Sequence, residues 1–121
     1  TGVQTCALPI CEKGKAQSMK TAEETAGIML DALLEDLNVL PEEKLLVLVS
    51  GNGATSLMEQ LIVFRGCYAY LLEKGIEIVA SHVGALMTIQ EMAGFEICIA
   101  RMNGELLGYW NAPCYTPYFK K

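Results

Sequence analysis

Basic residues are scarce in this chain: 9 Lys and Arg stand against 14 Asp and Glu in 121 residues, a formal net charge of −5. No cluster of Lys and Arg occurs, so the electrostatic footprint that nucleic acid or an anionic membrane surface requires is missing, and neither is expected as a partner. Long hydrophobic runs are missing too. The apolar stretches break within about eight residues, far short of the roughly twenty that a bilayer span needs. Histidine is reduced to His82, flanked by Ala80, Ser81, Val83 and Gly84, and the five cysteines, Cys6, Cys11, Cys67, Cys98 and Cys114, contain no Cys-x-x-Cys pair. A structural metal site, which wants paired ligands at fixed spacing, is therefore not expected. The odd, scattered cysteine count and the lack of a secretory signal pattern predict free thiols in a reducing cytoplasm. Cys67 and Cys98 fall in a predicted helix and strand, where a free cysteine behaves as a small buried hydrophobe.

What remains is apolar for its size. Hydrophobic residues make up 52% of the chain and charged ones 19%, below the roughly 25% charged of ordinary soluble domains. A missing partner surface would account for the difference. One domain is the natural count for this length.

The most informative stretch runs from Leu45 to Glu59. Leu45-Leu46-Val47-Leu48-Val49 is an unbroken apolar strand of the kind covered on both faces, and Ser50-Gly51-Asn52-Gly53-Ala54-Thr55 reads as a glycine-punctuated turn. Ser56 and Glu59 have the spacing of a capping box that opens a helix. In α/β proteins such a turn often faces a ligand, because backbone amides and the helix dipole favour negative charge, so Gly51, Asn52, Gly53 and Thr55 are the candidate site residues. The alternative is an ordinary structural loop, and it is the reading preferred here, because short motifs match often by chance. A dinucleotide fingerprint needs a glycine where Ser56 stands and an acidic residue where the next strand ends in Ser81, His82 and Val83. An ATPase phosphate loop needs a lysine, and none lies between Lys44 and Lys74.

Elsewhere the pattern is regular. Thr21 and Glu24 form a second capping-box pair, and Ala26, Met29, Leu30, Leu33, Leu34 and Leu37 fall on one helical face, with an end near Asn38 and Pro41. A long helix from Ser56 to Lys74 stops at Gly75 and carries Gly66 as an internal weak point. Residues 76–81 alternate as a less completely covered strand, giving a βαβ unit where the two strands pair in parallel. Thr88 and Glu91 cap a short helical turn closed by Gly94, and Phe95 to Ala100 alternate as a third strand. Asn103-Gly104 fits a hairpin into a fourth strand at 105–110, while Leu106, Leu107 and Trp110 fit a helix face; the helix is the reading preferred here. The tail from Asn111 to Tyr118 holds two prolines, so its aromatics are expected to lie across the sheet or a partner surface. His82, at the end of an apolar strand, reads as a satisfied or surface histidine. Glu73, Glu77, Glu91 and Glu96 read as helix ends and solvated strand faces. The expected fold class is a small two-layer α/β domain of about three to four strands, with helices packed on the sheet.

Four segments carry a resemblance in one order: Leu48 to Glu59, Glu73 to Val79, Val83 to Phe95, and Asn111-Ala112-Pro113 with Thr116-Pro117. Together they resemble the C-terminal subdomain of the dihydroxyacetone (glycerone) kinase K subunit, from about Glu12 to Thr116, and the subdomain is expected to occupy 12–121 of this chain. The resemblance implies a subunit that holds dihydroxyacetone as a covalent hemiaminal on a histidine. It also implies a homodimer, and a nucleotide-binding L subunit or domain that carries ATP or ADP with Mg. Aligning the family's Gly-Ile-His-Gly-Glu-like motif on Glu12 puts that histidine at Ile10. Residues 1–11 carry no periodicity, and the first ten resemble a translated sequencing-adapter read-through, so they are expected to be an artefactual leader. The catalytic residue is then absent, and the isolated chain is expected to be inactive and to expose an apolar patch that promotes self-association. The alternative is a non-catalytic regulatory or partner-binding module of the same fold, or a phosphate-binding domain that uses the Gly51–Thr55 turn.

Overall fold

Helix α1, Ala22–Leu37, starts where Thr21 accepts from the Glu24 amide while the Glu24 carboxylate takes the Thr21 amide, and it stops where Asn38 turns left-handed at φ 52°. These features come from a computed structural model that describes residues 18–87 and 89–121. Cys6, Ile10, Cys11, the expected leader and the proposed Thr88 cap lie outside the described residues. The last turn of α1 carries no basic residue of its own. Arg101 supplies one from the sheet, donating to the Leu37 and Asn38 carbonyls at 2.7 Å each and to Glu43 at 2.9 Å, so a cation sits at the negative end of the helix dipole.

Strand β1, Lys44–Gly53, is the centre of a three-stranded sheet of order β2-β1-β3. Helix α2, Leu57–Glu73, follows with Ser56 and Glu59 as its capping box. It returns the chain to β2, Glu77–Gly84, which pairs parallel to β1, so the predicted βαβ unit is present. Strand β3, Ala93–Arg101, pairs antiparallel on the other side. Helix α3, Gly104–Asn111, completes the order, with Asn103 as its cap; the hairpin alternative for 105–110 is not what forms.

One face of the sheet holds the core. Leu45, Val47, Val49 and Ile97 meet Ala26, Leu30 and Leu34 of α1 and Val63, Cys67 and Leu71 of α2. Gly66 explains itself here, because a Cβ would lie 3.2 Å from the Glu23 Cα and 3.4 Å from the Ala26 Cβ. What reads in sequence as a weak point is a place where the backbone of α2 lies close against α1. The opposite face carries Leu46 and Leu48 of β1 and is partly covered by the tail: Phe119 stands edge-on to His82 at 5.3 Å, and the Tyr118 hydroxyl donates to the Ala85 carbonyl. The tail therefore reaches the sheet through Phe119, whereas Tyr115 and Tyr118, the aromatics expected to lie across it, are 80% and 70% exposed.

Three expectations are corrected. Strand β1 does not end at Ser50: Gly51, Asn52 and Gly53 pair with Phe95, Gly94 and Ala93, because β3 is long enough to supply the ladder that the glycines alone would not. Residues 89–92 form a turn and no helix, with Glu91 at φ 56°, and Gly94 is a strand residue of β3. Cys98 is exposed, since it points to the less covered face of an edge strand, whereas Cys67 is buried as expected.

Candidate functional site

The carboxyl ends of the parallel strands β1 and β2 come together at Ser50 and Gly84, which are register partners. Ligand sites of open α/β sheets form at such ends. The Ser50 hydroxyl accepts from the Leu86 and Met87 amides at 3.2 and 3.3 Å, which ties the chain leaving β2 across the end of β1. Gly53, at φ 57°, makes the exit from β1 possible, since a Cβ there would fall 1.9 Å from the Met92 carbonyl oxygen. That carbonyl accepts from the Ala54 amide at 2.8 Å, and the Thr55 amide bonds back to the Asn52 carbonyl at 3.3 Å.

Two carboxamides are buried here, on opposite sides of the strand end. Asn52 is 0% exposed, and its Nδ2 donates to Glu96 Oε1 at 3.4 Å. Gln60 of α2 is 3% exposed and donates to the Thr55 carbonyl at 3.0 Å over Gly51. Asn52 Oδ1 and Gln60 Oε1 have no hydrogen-bond partner. Buried polar atoms are nearly always paired, so two orphan acceptors at one strand end mark it out among the described residues. Neither Gln60 nor Glu96 was selected from sequence. Gln60 sits inside a helix of apolar residues, where a lone amide is a usable signal, but Glu96 becomes informative only when β3 sets it beside Asn52.

The structure brings Gly51, Asn52, Gly53 and Thr55 together and gives them different roles. Gly51 and Asn52 are buried ladder residues, Gly53 is the left-handed pivot, and Thr55 is half-buried with its carbonyl on Gln60. The turn is poorly built to cradle phosphate. Its Ala54 and Thr55 amides are engaged internally, and the Glu59 carboxylate takes both the Ser56 amide at 2.8 Å and the Ser56 hydroxyl at 2.7 Å. These bonds, the hydroxyl first, hold the Glu59 carboxyl below its usual range, so an arriving phosphate would meet a fixed negative charge where the helix dipole invites it.

His82 faces Phe119 and lies opposite Leu48 in the ladder. Glu77 pairs with Lys44 at 3.6 Å at the far end of the sheet, and Glu73 and Glu91 are exposed. No group of three or more His, Cys, Asp and Glu among the described residues could hold a metal ion. No helix among them is long and apolar enough to cross a membrane.

Similarity to known proteins points the same way as the fold. The chain is 33% identical over 106 residues to a PTS-dependent dihydroxyacetone kinase 2, dihydroxyacetone-binding subunit DhaK, of Listeria innocua; this covers 88% of the chain and 32% of that protein. It is 34% identical over 105 residues to a D-erythrulose kinase of Mycolicibacterium smegmatis, covering 87% of the chain and 18% of that protein. The chain thus spans about a third or less of the length of these curated relatives. A solved chain described under regulation of the dha operon of Lactococcus lactis superposes with a TM-score of 0.76 at 24% identity, over 82% of this chain and 32% of that one, and shares the fold. Another, described as the dihydroxyacetone kinase operon co-activator Dha-DhaQ, reaches a TM-score of 0.75 at 25% identity over 80% of this chain and 31% of that one. The Dak1 domain family matches residues 11–118, all but the two ends of the sequence, and the chain belongs to that family.

Proposed function

We propose that this chain is the supporting half of a substrate-binding subunit in a kinase of dihydroxyacetone or a closely related short ketose. The observation that carries the reading is the likeness to a dihydroxyacetone-binding subunit over 88% of the chain. The carboxyl end of β1 lies beneath the sugar site, with Asn52 and Gln60 as its buried polar floor and Gly51, Gly53 and Thr55 shaping the strand exit. The reactive imidazole comes from upstream, at the position aligned with Ile10. The phosphoryl group comes from ATP or ADP with Mg on an L subunit or domain. The working protein is a cytoplasmic homodimer, and the isolated chain is inactive.

Extending the reading frame upstream of Lys13 tests this directly. An in-frame Gly-x-His-Gly-Glu motif, together with dihydroxyacetone phosphorylation by the extended protein and its nucleotide subunit, is the expected result. A covalent dihydroxyacetone adduct found by mass spectrometry on the present 121-residue chain would overturn the missing-nucleophile reading.

A regulatory relative without kinase activity is the second reading. The likeness to an operon co-activator at 25% identity supports it. Another residue in place of the upstream histidine, with partner binding but no phosphorylation, would select it.

A further inference from the structure

Asparagine followed by glycine occurs twice, at Asn52-Gly53 and Asn103-Gly104. The pair is chemically labile, because the glycine nitrogen has no Cβ beside it and can close a five-membered ring on the asparagine carboxamide. Asn38 and Asn111 are followed by Val39 and Ala112, whose side chains crowd that nitrogen. The two glycine pairs are alike in sequence and opposite in structure. Asn52 is buried, sits in the β1–β3 ladder opposite Gly94 and has its Nδ2 on Glu96, and the space at Gly53 is closed by the Met92 carbonyl. Asn103 and Gly104 are exposed, and a Cβ at Gly104 would meet nothing within 4 Å. Gly104 is also the first residue of α3, whose amide has no acceptor within the helix.

We infer that Asn103 is a site of spontaneous modification that rewrites the cap of α3. The Gly104 nitrogen bonds to Asn103 Cγ, the Cγ–Nδ2 bond breaks, and Nδ2 leaves as ammonia with the Gly104 amide proton. Water then opens the ring at Cγ to give aspartate, or at the main-chain carbonyl carbon to give isoaspartate. At φ −114° and ψ 178° Asn103 is extended, and its Oδ1 is held by the Leu106 amide at 2.8 Å, so ring closure waits for the first turn of α3 to loosen. No residue of α3 is buried, which places that opening at the low end of local stabilities. At Asn52 the same rotation requires β1 and β3 to part. The two products act oppositely. Aspartate keeps an acceptor for the Leu106 amide and adds negative charge at the positive end of the helix dipole. Isoaspartate carries the main chain through Cγ and takes the carboxylate away from the Leu106 amide. The helix then loses its cap, and with it the firm seat of Trp110, whose carbonyl accepts from Lys121 Nζ at 2.7 Å.

Incubation of the full 121-residue chain at mildly alkaline pH, followed by peptide mass mapping and enzymatic methylation specific for isoaspartate, tests the site. In the folded chain Asn103 should be modified at least about tenfold faster than Asn52. In urea above the unfolding midpoint the two rates should converge, because both pairs are then equally free. Gly104→Ala should slow Asn103 at least about tenfold by crowding the attacking nitrogen and leave Asn52 unchanged; the position is open, so far-UV circular dichroism should show the variant folded. Isoaspartate should accompany aspartate, the mark of a ring that water opens at either carbonyl. Equal rates at Asn103 and Asn52 in the folded chain, or an Asn103 that reacts only in urea, overturns the inference. Modification that yields aspartate alone, or that ignores Gly104→Ala, overturns the ring-closure route.

Discussion

Gln60 lies across Gly51 so closely that a Cβ at position 51 would fall 1.9 Å from Gln60 Nε2, the nitrogen that donates to the Thr55 carbonyl. The glycine is required by a neighbour on the next helix and not by its own turn. Gly51→Ala should therefore destabilise the fold by about 1–3 kcal/mol, the usual cost of overpacking, measured by urea unfolding. Gln60→Ala in the same chain should recover part of that loss, so the two changes couple. A strictly additive double mutant would refute the contact. Gly94→Ala, whose Cβ meets nothing within 4 Å, should stay within about 0.5 kcal/mol as a control.

Helix α3 has no buried residue, and its amide at Leu106 is held by the Asn103 side chain at 2.8 Å. With so little packing, the cap carries an unusual share of its order. Asn103→Ala should cost about 1 kcal/mol. Trp110, the one tryptophan in the chain, sits on this helix 6.5 Å from the Phe119 ring. Its emission should shift to the red at lower urea than the loss of far-UV ellipticity, the sign of local opening. Coincident transitions would count against it.

Much of this fold was legible because local chemistry and tertiary context agree. The two capping boxes, the buried strand and the stop at Gly75 are each decided within a few residues, and each stands where the sequence places it. The errors fall where a partner decides. Nothing in Ser50-Gly51-Asn52-Gly53 says that β3 will pair alongside it, so a strand end reads as a loop. Cys98 has the alternation of a half-buried strand, but only the topology reveals that its face is thinly covered. The candidate site was legible as a place and not as a set of contacts: Asn52 could be chosen from the turn, whereas Glu96 is 44 residues away and Gln60 belongs to the opposite face. Ile10, the position that the resemblance aligns with the family's histidine, lies outside the described residues.

Stability should fall at both ends of the pH scale through one cluster between α1 and α2. Asp31 accepts from the Tyr70 hydroxyl and pairs with Lys74 at 3.2 Å, while Lys74 lies 4.9 Å over the Tyr70 ring. The Tyr70 bond first, and Lys74 after it, hold the Asp31 carboxyl below its usual range. This contribution is present above the unfolded value near about 4 and is lost as pH falls through the folded one. Burial and the Asp31 bond raise Tyr70, and the bonds to Tyr70 and Asp31 raise Lys74. Their contribution is present below the unfolded values, near about 10, and is lost as pH rises through the folded ones. Urea midpoints should therefore plateau between these limits, and Asp31→Asn should flatten both edges. An unchanged acid edge in that variant would remove Asp31 from the account.

Thiol chemistry offers a readout of the core that needs no substitution. Cys67 is fully buried between the helices and the sheet, and burial pushes its thiol up to about 11. Attack on an alkylating reagent requires the thiolate, so at neutral pH Cys67 is protected twice, by lack of access and by its proton. Cys98 is exposed, but partial burial of its sulfur, followed by the charge of Glu96, raises it as well. Iodoacetamide at pH 7.5, followed by peptide mass mapping, should modify Cys98 slowly and leave Cys67 untouched in the folded chain. In urea above the unfolding midpoint both should react at the rate of an ordinary cysteine. The urea dependence of Cys67 labelling should then follow global unfolding, since its helix neighbours Val63 and Leu71 are buried in the same core and the site opens only when that core does. Labelling of Cys67 at low urea, ahead of the far-UV transition, would show that α2 separates from the sheet before the rest of the domain unfolds.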